Sequence, residues 1–242
     1  MKAFKKIMLV IIVSVFCLWT AQAGASLIPT LYNTGIPGAG GVDAHYQLVV
    51  NPNDATTNAY VVTDDKWPVA GPTGTNRPWI ANSSTSKWIA PLFISDDTKP
   101  YVPVGFGYVS NAVGTYTYRT TFDLTGFNPA TATIAGKWWV DNYRGGIFLN
   151  GSSTSIYTPI INDPDGLQQD RTFTINSALL HAGVNYLDFV VVNQDGPNYG
   201  NPSGLRVEFT SKDANPVPLP PAVWLLGSGL LGLSYIRRKI KN

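Results

Sequence analysis

The chain has 242 residues, 44% of them hydrophobic, with a formal net charge of +2, two histidines and one cysteine. The charge is unevenly placed. Lys2, Lys5 and Lys6 open the chain and Arg237, Arg238, Lys239 and Lys241 close it, so the ten remaining basic residues share the middle with all 15 acids, a net of −5. Such a middle lacks the basic surface expected of a nucleic-acid binder, and His45 and His181, with no cysteine cluster beside them, do not make a zinc set.

Residues 1–23 read as a secretory signal peptide. Three lysines precede a mostly apolar run, 7–19, and Ala21-Gln22-Ala23 supplies the small residues that signal peptidase requires, at Ala21 and Ala23. Cys17, the only cysteine, leaves with this segment. The mature chain is then an exported protein held by its core, without a disulfide. Residues 24–41, rich in Gly, Pro and small side chains, read as a leader or first turn.

Residues 42–212 read as one all-β domain, a single antiparallel β-sandwich or jelly roll. The clearest strand is 115–124, where Tyr116, Tyr118, Thr120, Phe122 and Leu124 alternate with Thr115, Thr117, Arg119, Thr121 and Asp123. Earlier strands are expected at 45–50 and 60–63. Later ones are expected at 132–140, 146–149, 171–175, 186–193 and 205–210. Asn150-Gly151 marks a tight turn, because both residues tolerate positive φ. Residues 177–181 are the one helical turn expected. Fourteen of the 15 acids are Asp, a residue of turns rather than helices. Short strands without intervening amphipathic helices argue against an α/β fold.

The sequence carries no HExxH, no GxSxG and no glycine-rich phosphate loop. A glycosidase needs two carboxylates across a cleft, and no feature singles out such a pair. The chain is therefore read as a non-enzyme. Asn162-Asp163-Pro164-Asp165-Gly166 is a solvated turn, or else a calcium loop with Asp163 and Asp165 as ligands; structural calcium is the only cofactor considered.

Trp138-Trp139-Val140-Asp141-Asn142-Tyr143-Arg144 is the candidate carbohydrate site. Indoles stack on sugar rings, and Asp141, Asn142 and Arg144 offer planar polar groups for hydroxyls, with Tyr143 between them. Neighbouring residues of a strand face opposite sides, so one of Trp138 and Trp139 is expected in the core and the other exposed. Packing of both indoles, with Asp141 capping a loop, is the alternative. Trp67, Trp79 and Trp88 are expected in the core.

Five stretches, 79–91, 116–127, 134–151, 179–193 and 201–209, resemble in order the galactose-binding-like β-sandwich domains of exported bacterial proteins. Gly136, Trp138, Asp141 and Asn142 match a repeated Gly-x-Trp-x-x-Asp-Asn pattern of those domains. The resemblance implies a β-sandwich whose end loops meet the ligand, often a sugar, with calcium sometimes bracing the fold.

Residues 213–221 are proline-rich and hold Val217-Pro218-Leu219-Pro220. Residues 222–236 carry no charge; as a helix they span about 22 Å, short of the ~30 Å bilayer core. Ser228 and Gly232 would let another helix approach closely. Residues 237–242 form a basic tip, in which Arg237, Arg238 and Lys239 stop transfer and stay cytoplasmic. The tail resembles a PEP-CTERM sorting signal, with Leu219 where the named motif has Glu. The resemblance implies recognition by an exosortase, a membrane-embedded processing enzyme, with cleavage near 217–221. It also implies a Gram-negative cell surface or matrix destination among exopolysaccharides. The expected protein is exported, transiently membrane-anchored through its tail, and then a surface or matrix protein that binds carbohydrate without catalysis. A purely structural or adhesive protein is the alternative, with a polysaccharide-degrading enzyme behind it.

Overall fold

The computed structural model describes residues 24–36, 41–62, 79–91, 111–157, 166–194 and 202–218, with isolated positions between 222 and 237. The signal peptide with Ala21 and Ala23, the calcium candidates Asp163 and Asp165, Trp67, Leu219, Pro220, Arg238 and Lys239 lie outside the described residues, as does most of the expected C-terminal helix. Among the described residues no helix is long and apolar enough to cross a membrane. Residues Ser26–Ala214 form one compact unit, separate from the chain ends.

This unit is all-β. Its strands are β1 (Ser26–Leu27), β2 (Gly41–Val50), β3 (Asn58–Val61), β4 (Ile89–Ala90), β5 (Gly114–Asp123), β6 (Thr133–Asp141), β7 (Tyr143–Leu149), β8 (Arg171–Thr174), β9 (Val184–Asn193) and β10 (Gly204–Ala214). Two single 3-10 turns, Pro129–Thr131 and Ser177–Leu179, are each capped by an asparagine side chain, Asn128 and Asn176. The strands form one antiparallel sheet in the order β7-β9-β5-β2-β3-β4-β10-β6-β8, with β1 on β10.

The sheet curls until its two halves face each other, an arrangement consistent with a β-sandwich. Phe189 of β9 lies at the centre. Its ring is 5.8 Å from Trp138 of β6, 5.7 Å from Phe173 of β8 and 6.4 Å from Tyr46 of β2. β5 fills the core as its alternation requires: Tyr116, Tyr118, Thr120, Phe122 and the following Leu124 are all buried. Asn150 and Gly151 take φ of 51° and 73°, and Ser152 N donates to Leu149 O at 2.9 Å to close the turn.

The reading of residues 24–41 as a leader is corrected. β1 pairs with β10, and Ile28 and Leu31 are completely buried in the core. This stretch is hard to read because its backbone pairing with β10 is short and side chains carry the rest of the contact. Val207 N donates to Thr34 Oγ1 at 3.0 Å and Phe209 N to Asn33 Oδ1 at 2.8 Å. β10 also runs to Ala214, beyond the expected boundary at 212.

Gly136 is fixed by packing. A Cβ there would lie 2.6 Å from Phe173 Cζ and 2.8 Å from Glu208 O. One of these neighbours is backbone and cannot turn aside. Gly136→Ala is therefore expected to cost about 1–3 kcal/mol, read as a lower denaturant midpoint with an unchanged slope.

Candidate functional site

The predicted carbohydrate residues sit where β6 turns into β7. Trp138 and Trp139 do point to opposite faces, but both are buried, at 0% and 3% exposure. The expectation that one indole would be exposed is corrected, and the cause is a second layer. Trp138 belongs to the main core, with its ring edge-on to Tyr157 at 5.2 Å. Trp139 belongs to a second cluster with Val62, Trp79, Trp88 and Ala90. The segment 79–91 builds that cluster: Trp79 and Trp88 stack at 4.3 Å, and Trp88 Nε1 donates to Ile80 O at 2.9 Å.

A guanidinium covers each indole. Arg144 Cζ stands 5.6 Å from the Trp138 ring and Arg206 Cζ 4.6 Å from the Trp139 ring. Both arginines are buried and bound to their surroundings. Arg144 Nη2 donates to Trp138 O at 3.1 Å and Gln169 O at 2.7 Å. Arg206 donates through Nε to Ser86 Oγ at 2.8 Å, through Nη1 to Ala81 O, and through Nη2 to Glu208 at 3.4 Å. These cations hold chain segments together, and Arg144 is not placed to meet a sugar.

Asp141 is likewise interior. Its Oδ2 accepts from Trp79 Nε1 at 2.7 Å and its Oδ1 from Asn142 Nδ2 at 2.9 Å. Its carbonyl accepts from Ser203 Oγ at 3.0 Å. Burial raises the carboxyl to a pKa of about 7, against the opposing Trp79 hydrogen bond. Asn142 Oδ1 accepts from Gln194 N at 3.0 Å, tying the corner to the end of β9. Of the six predicted residues only Asn142 and Tyr143 keep partial exposure. Among the described residues no group of three or more His, Cys, Asp or Glu is placed to hold a metal.

The open polar surface lies on the opposite half of the sheet. A groove of about 340 Å³ crosses the outer face of β2 and β5, lined by Asp43, His45, Gln47, Asn58, Arg119 and Thr121 among others. Its floor is rigid. The Asp43 carboxylate accepts from Gly35 N at 2.6 Å, His45 N at 2.7 Å and Tyr46 N at 3.0 Å. Gly35 has φ 73°, and a Cβ there would meet Lys87 Cβ, so this loop needs glycine. Arg119 pairs with Asp188 of β9 through Nε and Nη2, each at 2.7 Å, and its guanidinium lies 3.9 Å from the Tyr186 ring. The His45 ring stacks on Tyr32 at 3.6 Å, within 9° of parallel.

The sequence marked Arg119 and Thr121 as the polar face of β5 but gave no reason to join them with Asp43, His45 and Gln47. The register does so: Gln47 stands opposite Arg119 and Tyr46 opposite Thr120. With this geometry in hand, comparison with known proteins adds nothing, since no family model and no curated protein matches the chain.

Asp141 makes stability depend on pH. Its folded pKa of about 7 lies above the ordinary 3.8, so the folded state holds the proton more tightly. Its contribution is fully present below about pH 4 and is lost as pH rises through about 7. The denaturant midpoint is expected to fall more over this window in the wild type than in Asp141→Asn. Parallel curves for the two proteins would show that Asp141 titrates normally.

Proposed function

We propose that the chain is an exported, tail-processed surface or matrix protein whose galactose-binding-like β-sandwich binds envelope or matrix carbohydrate without catalysis. The observation that carries the processing part is where the folded unit stops. β10 ends at Ala214 and Val217 follows three residues later. Cleavage near 217–221 would leave every strand of the sheet in place. Val217 and Pro218 are also exposed, as a protease recognition segment needs to be. At the other end, removal of residues 1–23 spares β1, which begins at Ser26.

The remainder of the tail supports the same reading through the uncharged 222–236 segment and the basic tip with Arg237, Arg238 and Lys239. An exosortase and signal peptidase are then the processing partners. The protein would be held in the inner membrane only until the tail is cut. A structural or adhesive protein without a small ligand is the second reading. It draws on the burial of Trp138, Trp139, Asp141 and Arg144, residues taken up by packing.

Mass spectrometry of the native protein tests the processing. The C-terminus is expected near 217–221 in cells with the exosortase and at Asn242 in cells without it. An intact C-terminus in both strains would make the tail a plain anchor.

A further inference from the structure

We infer that the groove on the outer face of β2 and β5 is the carbohydrate site, and that it takes a neutral, hydroxyl-rich sugar chain. This inference rests on the carbohydrate reading above and gives it a location away from the β6–β7 corner.

The first argument is what the groove cannot recognise through its backbone. It lies on a sheet face, and the strands beneath it are paired on both sides: β2 with β3 and β5, and β5 with β2 and β9. Most of their backbone is used in the ladder, and where the β2–β3 register breaks between Val42 and Gln47 the N–H groups of His45 and Tyr46 are taken by Asp43, so a peptide finds no free strand edge to extend. Recognition falls to side chains.

The second argument is the kind of side chain present. Gln47 and Asn58 are amides, each with donors and an acceptor, and Thr121 is a hydroxyl. Gln47 and Thr121 are exposed and Asn58 partly so. Arg119 uses Nε and Nη2 on Asp188, which turns Nη1 away from that carboxylate. Mixed donors and acceptors closely spaced on a sheet surface match a ligand whose hydroxyls both donate and accept. The Asp188 pair and the Tyr186 ring hold the guanidinium in place before any ligand arrives, so less freedom is lost on binding. His45 also lines the groove, and its ring is stacked on Tyr32.

The third argument is charge. Arg119 is the only lysine or arginine among the described lining residues, and Asp188 matches it. Asp43 adds a carboxyl to the floor. The groove has no surplus fixed cation to neutralise phosphate, sulfate or uronate groups, and a neutral chain fits it better. Its volume of about 340 Å³ is at the small end of ligand sites, which run from about 300 to 1,000 Å³. That suits a short stretch of a polymer whose neighbouring units extend over the sheet.

The test measures binding of the processed protein to neutral probes (cellohexaose, mannohexaose, a linear galactan) and an acidic one (hyaluronate oligosaccharide). Four variants accompany the wild type: Gln47→Ala, Thr121→Trp to fill the groove from an exposed position, and Asn142→Ala and Tyr143→Ala at the β6–β7 corner. Thermal melts verify folding. The expected result is binding of a neutral probe that weakens at least about five-fold in Gln47→Ala and is lost in Thr121→Trp, while both corner variants bind normally. Wild-type binding that survives both groove variants but fails in Asn142→Ala or Tyr143→Ala would overturn the groove and leave the carbohydrate reading standing. Binding of hyaluronate alone would overturn the neutral ligand class. No binding to any probe would overturn the inference, and no binding to native matrix polysaccharide as well would remove the carbohydrate reading with it.

Discussion

The fold depends on the C-terminal half of β6, Trp138 to Asp141, being buried on both of its faces. An ordinary sandwich strand shows one face to the core and the other to solvent. β6 shows Trp138 to one apolar cluster and Trp139 to another. The main core accounts for the first contact. The second requires a covering, which residues 79–91 supply with two tryptophans of their own. Once that segment is in place, polar groups on the outer face of β6 and β10 lose access to water and each needs a partner. Arg206 finds Ser86, Ala81 and Glu208, Asp141 finds Trp79, and Ser86 Oγ donates to Glu208 at 2.8 Å. Leaving any of these unmatched would cost more than a typical hydrogen bond contributes, which ties an irregular segment to one position on the sheet.

The same covering explains why Trp139 could be misread. Strand alternation was legible from sequence, and it assigned the two tryptophans correctly to opposite faces. Exposure is a different property, because it depends on what else lies over the strand. Here the lid is separated from β6 by more than forty residues and contains only the two-residue strand β4. Nothing in 134–141 announces it. The motif residues Gly136, Trp138 and Asp141 now have structural explanations: room for Phe173, a place in the core, and an acceptor for Trp79.

Other parts of the fold were legible for reasons that are visible in the structure. β5 was found almost to the residue because its buried face is continuously apolar or aromatic except for Thr120, while its other face is polar. Asn150-Gly151 was legible because its chemistry is local. Residues 26–34 were not, since Ile28 and Leu31 are too few to set a period, and Asn33 and Thr34 stand in for backbone partners of β10. The groove was the least legible feature. Its residues come chiefly from β2, β3 and β5, and the pairing of Gln47 with Arg119 on one side and Asn58 on the other brings them together.

The molecule thus has two outer faces of opposite character. Over β6 and β10, aromatic rings and cations are sealed beneath 79–91, and a substitution there disturbs packing and buried charge together. Over β2 and β5, the structural work is done by groups set into the floor: the Asp43 carboxylate with its three backbone donors, and the Arg119–Asp188 pair. The exposed groups above them, Gln47 and Thr121, carry little of the fold. Surface positions of that kind tolerate change with small effects on stability. Gln47 and Thr121 can therefore change without disturbing the sheet, whereas Trp138, Trp139, Asp141 and Arg144 have no such freedom, because these buried groups are already committed to packing and hydrogen bonds inside the fold.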